Sequence, residues 1–241
     1  MGEIAAGYAS VELDLPSGQR SQRMQAVVPL LKELTGAESA AVVNNNAGAT
    51  LLTLSAVAAG KEVIVSRGEL VEIGDSFRIP DILREAGVTL VEVGTTNRTR
   101  LSDYEQAITE NTAALLKVHP SNYEMRGFTA EVTLPELANL AHQHNLTALY
   151  DWGSGSFYRF AQGPLLGHPT ATQVLDSGVD VIAFSGDKLL GGVQAGLILG
   201  RETLVQQLRK HPLYRALRLD KGALALLEET LAAYLNPTHV P

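Results

Sequence analysis

Along this chain, short runs of consecutive apolar residues alternate with stretches whose apolar positions recur every three or four residues. Ala40–Val43, Glu62–Val65, Thr89–Val93, Ala113–Val118, Leu146–Tyr150 and Val179–Phe184 follow the first pattern, which predicts short strands buried on both faces. Ala47–Ala58, Phe77–Ala86, Ser102–Ile108 and Leu134–Asn145 follow the second and predict helices between them. Ser102, with Glu105 three residues on, has capping-box spacing. Such an alternation implies a mostly parallel sheet with helices on both faces. Gln194–Leu199 follows the sixth strand after a short turn through Gly191 and Gly192. A parallel crossover needs about a dozen residues, so this seventh strand is expected to run antiparallel. Gln19–Leu34 predicts a helix ahead of the sheet, ending at Thr35-Gly36, where glycine suits the C′ position. Leu204–Lys210 and Lys221–Tyr234 predict helices behind it. The expectation is one α/β domain over residues 1–241. It has an N-terminal segment and helix at 1–36, a seven-stranded sheet with one antiparallel strand, and closing helices over 201–241.

Composition narrows the function classes. Cysteine is absent, which removes disulfides, thiolate nucleophiles and zinc-thiolate or iron–sulfur sites. No apolar run approaches the roughly 18 to 20 residues of a membrane span. The start, MGEIAAGYAS, lacks the basic and apolar regions of a signal peptide. A cytoplasmic protein is the expectation. With 19 Lys+Arg against 26 Asp+Glu, the net charge of −7 argues against wholesale coating of nucleic acid but leaves room for a local basic patch.

The most informative segment is Phe184-Ser185-Gly186-Asp187-Lys188-Leu189-Leu190-Gly191-Gly192. A strand delivers it to the sheet edge where α/β proteins bind ligands. Lys188, among apolar neighbours, is expected to be desolvated and so freed for Schiff-base chemistry, with Ser185 holding a phosphate. The competing reading is a surface lysine in a glycine turn. Asp151 ends the Leu146–Tyr150 run. It is either a turn residue or a carboxylate aimed into a site, where it would keep a pyridine nitrogen protonated. Val43-Asn44-Asn45-Asn46-Ala47 joins a strand to a helix start, a phosphate cradle or an ordinary cap. His119, in Lys117-Val118-His119-Pro120, contacts a cofactor ring or serves structure. Arg215 and Arg218 are three apart in a basic stretch. On one helical face they would make a fork for an oxyanion, unless they form a solvated face. Arg20 and Arg23 repeat that spacing. Glu69 and Glu72 follow a strand end and can be read as structural or functional.

Taken together, VVNNNAGA, EVIVSRGELVEIGDSFRIPD, EVGTTNRT, LLKVHPSNY, FSGDKLLGG and HPLYRALR resemble bacterial selenocysteine synthases, the L-seryl-tRNA(Sec) selenium transferases. The resemblance runs in order from about Val11 to Tyr234. It implies the large domain of pyridoxal-phosphate fold type I and pyridoxal 5'-phosphate as cofactor. Lys188 then carries the cofactor, Asp187 is its catalytic neighbour and Asp151 the partner of the pyridine nitrogen. Asn45, Asn46 and Ser185 fall at phosphate contacts. Arg215 and Arg218, with Arg20 in preference to Arg23, fall where the selenium donor's oxyanion binds. Seryl-tRNA(Sec) and selenophosphate are the implied substrates, and a dimer or ring of dimers the implied homo-oligomer. The family's N-terminal tRNA-binding domain and small C-terminal domain are expected to lie outside this core. Two other readings remain: a related lyase or transferase acting on a small, perhaps phosphorylated, amino acid, and a truncated core without turnover.

Overall fold

The computed structural model describes residues 6–20, 23–73, 77–163 and 165–236. In chain order the elements are α1 (Val27–Thr35), β1 (Ser39–Val43), α2 (Asn46–Ala58), β2 (Glu62–Ser66), β3 (Glu72–Ile73), β4 (Phe77–Arg78), α3 (Ile79–Glu85), β5 (Thr89–Val93) and α4 (Leu101–Ala107). They continue with β6 (Thr112–Val118), α5 (Leu134–Gln143), β7 (Thr147–Gly153), α6 (Ala171–Leu175), β8 (Val181–Ser185), β9 (Gly196–Gly200), α7 (Glu202–Lys210), α8 (Pro212–Ala216) and α9 (Lys221–Tyr234).

Seven strands form one sheet in the order β1-β9-β8-β7-β6-β2-β5. Strand β9 runs antiparallel to both neighbours, Ala183 facing Ile198 on one side and Ala41 facing Ile198 on the other. The remaining pairs are parallel. The short turn after β8 therefore reverses the chain, as the turn length requires. Strand residues alternate between two cores. Ala40, Val42, Ile182 and Phe184 pack with Leu31, Leu227 and Leu231 of α1 and α9. Ala41, Val43, Val181 and Ala183 pack with Leu52, Leu54 and Leu208 of α2 and α7 on the opposite face. Both faces are covered, which is why these strands read as continuous apolar runs.

Three expected helices differ in extent. The helix expected over Gln19–Leu34 begins only at Val27, because the chain before it turns back, with Asp14 N donating to the Gln19 carbonyl. The Phe77–Ala86 helix starts at Ile79 with Pro80 in its first turn, a position proline favours, while Phe77–Arg78 pairs with Glu72–Ile73. The capping box placed at Ser102 is shifted. Asp103 Oδ2 accepts from Arg100 N at 2.8 Å, so the helix begins at Leu101.

Candidate active site

Parallel strands β6 and β7 and the neighbouring β8 end on the same side, as adjacent parallel strands must, and their last residues line one cavity of about 210 Å³. Strand β6 contributes Val118 and the following His119, β7 contributes Asp151 and Gly153, and β8 contributes Ser185. The β1–α2 connection adds Asn45 and Asn46, and the turn after β8 adds Asp187 and Lys188. Seven residues singled out from the sequence, Asn45, Asn46, His119, Asp151, Ser185, Asp187 and Lys188, thus share one cavity.

Asp151 is the fixed point. Its Oδ1 accepts from Asn46 Nδ2 at 2.8 Å and its Oδ2 from Thr50 Oγ1 at 3.1 Å. Asn46 and Thr50 are one turn apart on α2 and present the same face, so one helix supplies both donors. Burial pushes the Asp151 carboxyl above the usual aspartate range. The donors from Asn46 and Thr50 and the charge of Lys188 work against that rise.

Asn45 and Asn46 have separate duties. Asn45 Oδ1 accepts from Gly48 N at 2.7 Å and caps α2, whereas Asn46 orients Asp151. Both line the cavity, but neither side-chain group just named is held in reserve for a phosphate. Close approach of β9 to this connection requires glycine at 196, where a Cβ would overlap the Asn45 carbonyl.

Lys188 is exposed rather than desolvated, which corrects the expectation drawn from its apolar neighbours. Leu190 carries the burial of this turn at 1% exposure, and Tyr234 donates to its carbonyl at 2.9 Å. Gly186 N pins the turn's start to the Ala195 carbonyl. The lysine therefore stands at the cavity edge, and a Cβ on Gly153 would lie 3.9 Å from its Nζ and 3.9 Å from Ser121 Oγ. Asp187 is likewise exposed. His119 is half-buried, its N–H donates to the Asp151 carbonyl at 2.9 Å, and its ring meets His168 edge-on at 6.2 Å. Burial, and then the neighbouring His168, hold the His119 ring below the usual histidine range.

The arginines assemble elsewhere. Arg20, Arg23, Arg215 and Arg218 line a second cavity of about 400 Å³ with Glu12, Arg209 and Tyr214. It shares no lining residue with the first. Helix α8 ends at Ala216, so Arg215 and Arg218 do not share a helical face; the loop after α8 brings Arg218 to the same cavity. Glu69 and Glu72, left open by sequence, are bound to other groups. Glu69 pairs with buried Lys117 at 3.0 Å and accepts from Val118 N at 2.9 Å, while exposed Glu72 pairs with Arg78 at 2.7 Å. Thr50, Ser121 and Gln194 were missed as site residues. The Asn46–Thr50 spacing of four was the available sign for the first.

An amine, a buried carboxylate, an imidazole and hydroxyls around one cavity at the strand ends fit an aromatic aldehyde phosphate such as pyridoxal 5'-phosphate. Among the described residues the buried Asn46 Oδ1 has no hydrogen-bond partner and leaves an acceptor in the wall. Together with the sheet order, these features define the large domain of the pyridoxal-phosphate fold-type-I class. The solved structure titled D-glucosaminate-6-phosphate ammonia-lyase superposes on 97% of this chain and 61% of its own with a TM-score of 0.73. At 22% identity that likeness concerns the fold alone.

Residues 1–240 match the L-seryl-tRNA selenium transferase family, and the chain belongs to it. The L-seryl-tRNA(Sec) selenium transferase of Geobacter sulfurreducens is 56% identical over 96% of this chain and 50% of its own length. Those of Moorella thermoacetica and Haemophilus influenzae are each 56% identical over 97% and 95% of this chain, and 50% of their own lengths. The chain spans about half the length of these relatives. Among the described residues no helix is long and apolar enough to cross a membrane.

Proposed function

We propose that this chain is the catalytic core of an L-seryl-tRNA(Sec) selenium transferase. It would bind pyridoxal 5'-phosphate and convert seryl-tRNA(Sec) to selenocysteinyl-tRNA(Sec) with selenophosphate, acting in the cytoplasm as a homo-oligomer. The observation that carries the reading is the placement of the Lys188 amine and the buried, doubly hydrogen-bonded Asp151 carboxylate on one cavity. When bound, the cofactor supplies an aldehyde for the amine and an electron sink for the substrate Cα.

Each residue then has a definite task. Asp151, held by Asn46 and Thr50, would face the ring nitrogen and hold its proton. A cationic partner there would keep ionised a carboxyl that burial alone drives toward its neutral form. Lys188, whose side-chain amine has no hydrogen-bond partner among the described residues, would hold the cofactor's aldehyde and would be the base that moves the Cα proton on its Nζ. Asp187 adds a carboxylate at the cavity mouth. His119 closes one wall against water, and Ser185 and the start of α2 offer donors to the phosphate. Arg215, Arg218 and Arg20 would hold the selenophosphate oxyanion. The homo-oligomer, a dimer or ring of dimers, belongs to this proposal as the assembly the family resemblance implies.

The test is an absorbance titration of the cofactor-loaded protein with seryl-tRNA(Sec), uncharged tRNA and free serine, with Lys188→Ala as control. The expected outcome is a spectral change specific to seryl-tRNA(Sec) that the variant abolishes. A response to free amino acids alone would transfer the reading to a small-molecule lyase or transferase. No cofactor absorbance at all would leave a core without turnover.

A further inference from the structure

The arginine cavity already holds an anion of the chain's own. Glu12 Oε1 accepts from Arg23 Nη1 and Arg218 Nη1, and Glu12 Oε2 from Arg20 Nη2, all at 3.1 Å. Arg23 is also anchored independently, its Nε and Nη2 donating to the Leu219 carbonyl at 3.1 and 2.6 Å. Among the described residues, Arg20 and Arg218 have side-chain partners only in Glu12, and Arg215 has no ion pair. One carboxylate thus gathers two guanidiniums from its own segment and a third, that of Arg218, from 206 residues away.

We infer that Glu12 determines the specificity of this oxyanion site by occupying it until a ligand of higher charge displaces it. The inference rests on reading the arginine cavity as an oxyanion site. A monoanionic carboxylate brings one charge and two oxygens, the same as Glu12, and gains nothing by exchange. A tetrahedral dianion of the phosphate type brings twice the charge and a third oxygen for the guanidinium forks. Exchange is feasible because the Glu12 side chain is 31% exposed and its pairs with Arg20 and Arg218 are also solvated. Exposed pairs of this kind are individually weak. Glu12 therefore acts as a filter against monoanions rather than as a lock.

The test is calorimetric titration of the protein with inorganic phosphate and, separately, with acetate. It uses wild type, Glu12→Gln, Glu12→Ala and the double variant Arg215→Gln/Arg218→Gln, all matched by far-ultraviolet circular dichroism. Wild type is expected to bind phosphate and reject acetate. Both Glu12 variants should bind phosphate on the order of five- to tenfold more tightly and should gain acetate binding. Phosphate binding in the Glu12 variants no tighter than in wild type, or continued rejection of acetate, would overturn the role of Glu12. Undiminished phosphate binding in the double arginine variant would instead overturn the oxyanion-site reading beneath it.

Discussion

Asp151 and Glu12 are both carboxylates gripped by several side-chain donors, yet they shift in opposite directions. Asp151 sits near the end of a buried strand, takes only neutral donors, and burial pushes its carboxyl up. Glu12 lies in a surface segment, takes three guanidiniums, and the hydrogen bonds from Arg23 and Arg20 hold it below the usual glutamate range. The number of partners does not decide the charge state. What decides it is whether water has been removed and whether the donors carry charge. The strand-end site is built to wait for a cation, and the surface site to exchange one anion for another.

The largest expected effect tests the buried side of this contrast. Lys117→Met would leave Glu69 buried without its cation and should destabilise the protein by about 3 to 5 kcal/mol in urea melts. Asn46→Ala leaves the buried Asp151 Oδ1 without its side-chain donor and should cost about 1 to 3 kcal/mol. Asn45→Ala, its sequence neighbour, removes only a helix cap worth about 1 kcal/mol. Equal losses in those two variants would contradict the separate duties assigned to the two asparagines.

The pH dependence has opposite signs at the two carboxylates. The raised pKa of Asp151 means the folded state binds its proton more tightly than the unfolded chain. Its contribution to stability therefore falls as pH climbs from the ordinary aspartate value to the raised one. Asp151→Asn should flatten that part of a stability–pH profile. Glu12 contributes above the ordinary glutamate value and loses its contribution as pH drops through its lowered value. The smallest effect expected is on the thermal midpoint of Glu12→Gln, which should fall only slightly, as solvated ion pairs contribute little, although its anion binding changes. A large fall in the midpoint would mean that the surface cluster is structural glue.

Asp151 and Lys188 were legible because one lies among the last residues of a buried strand and the other three residues beyond the next, and polar residues placed there are delivered to the sheet edge by local pattern alone. The reversed β9 was legible for a similarly local reason, since a short turn cannot make a parallel crossover. The arginine fork was only half legible. Its spacing is written in the chain, but α8 ends too soon for a shared helical face and Arg218 arrives by a loop.

By itself, then, the amino-acid sequence determined the strands, the reversal of β9, the family, and the identity of the residues at the strand ends. These follow from periodicity, turn length and motif, all of which act over a few residues. Only the tertiary structure decided that Asn46 and Thr50 serve Asp151 across about a hundred residues of chain. The same holds for the exposure of Lys188 while Leu190 anchors its turn, and for the occupation of the arginine cavity by Glu12. Pairing and burial depend on which distant elements close against one another, and those two properties set the charge and availability of every group in both cavities.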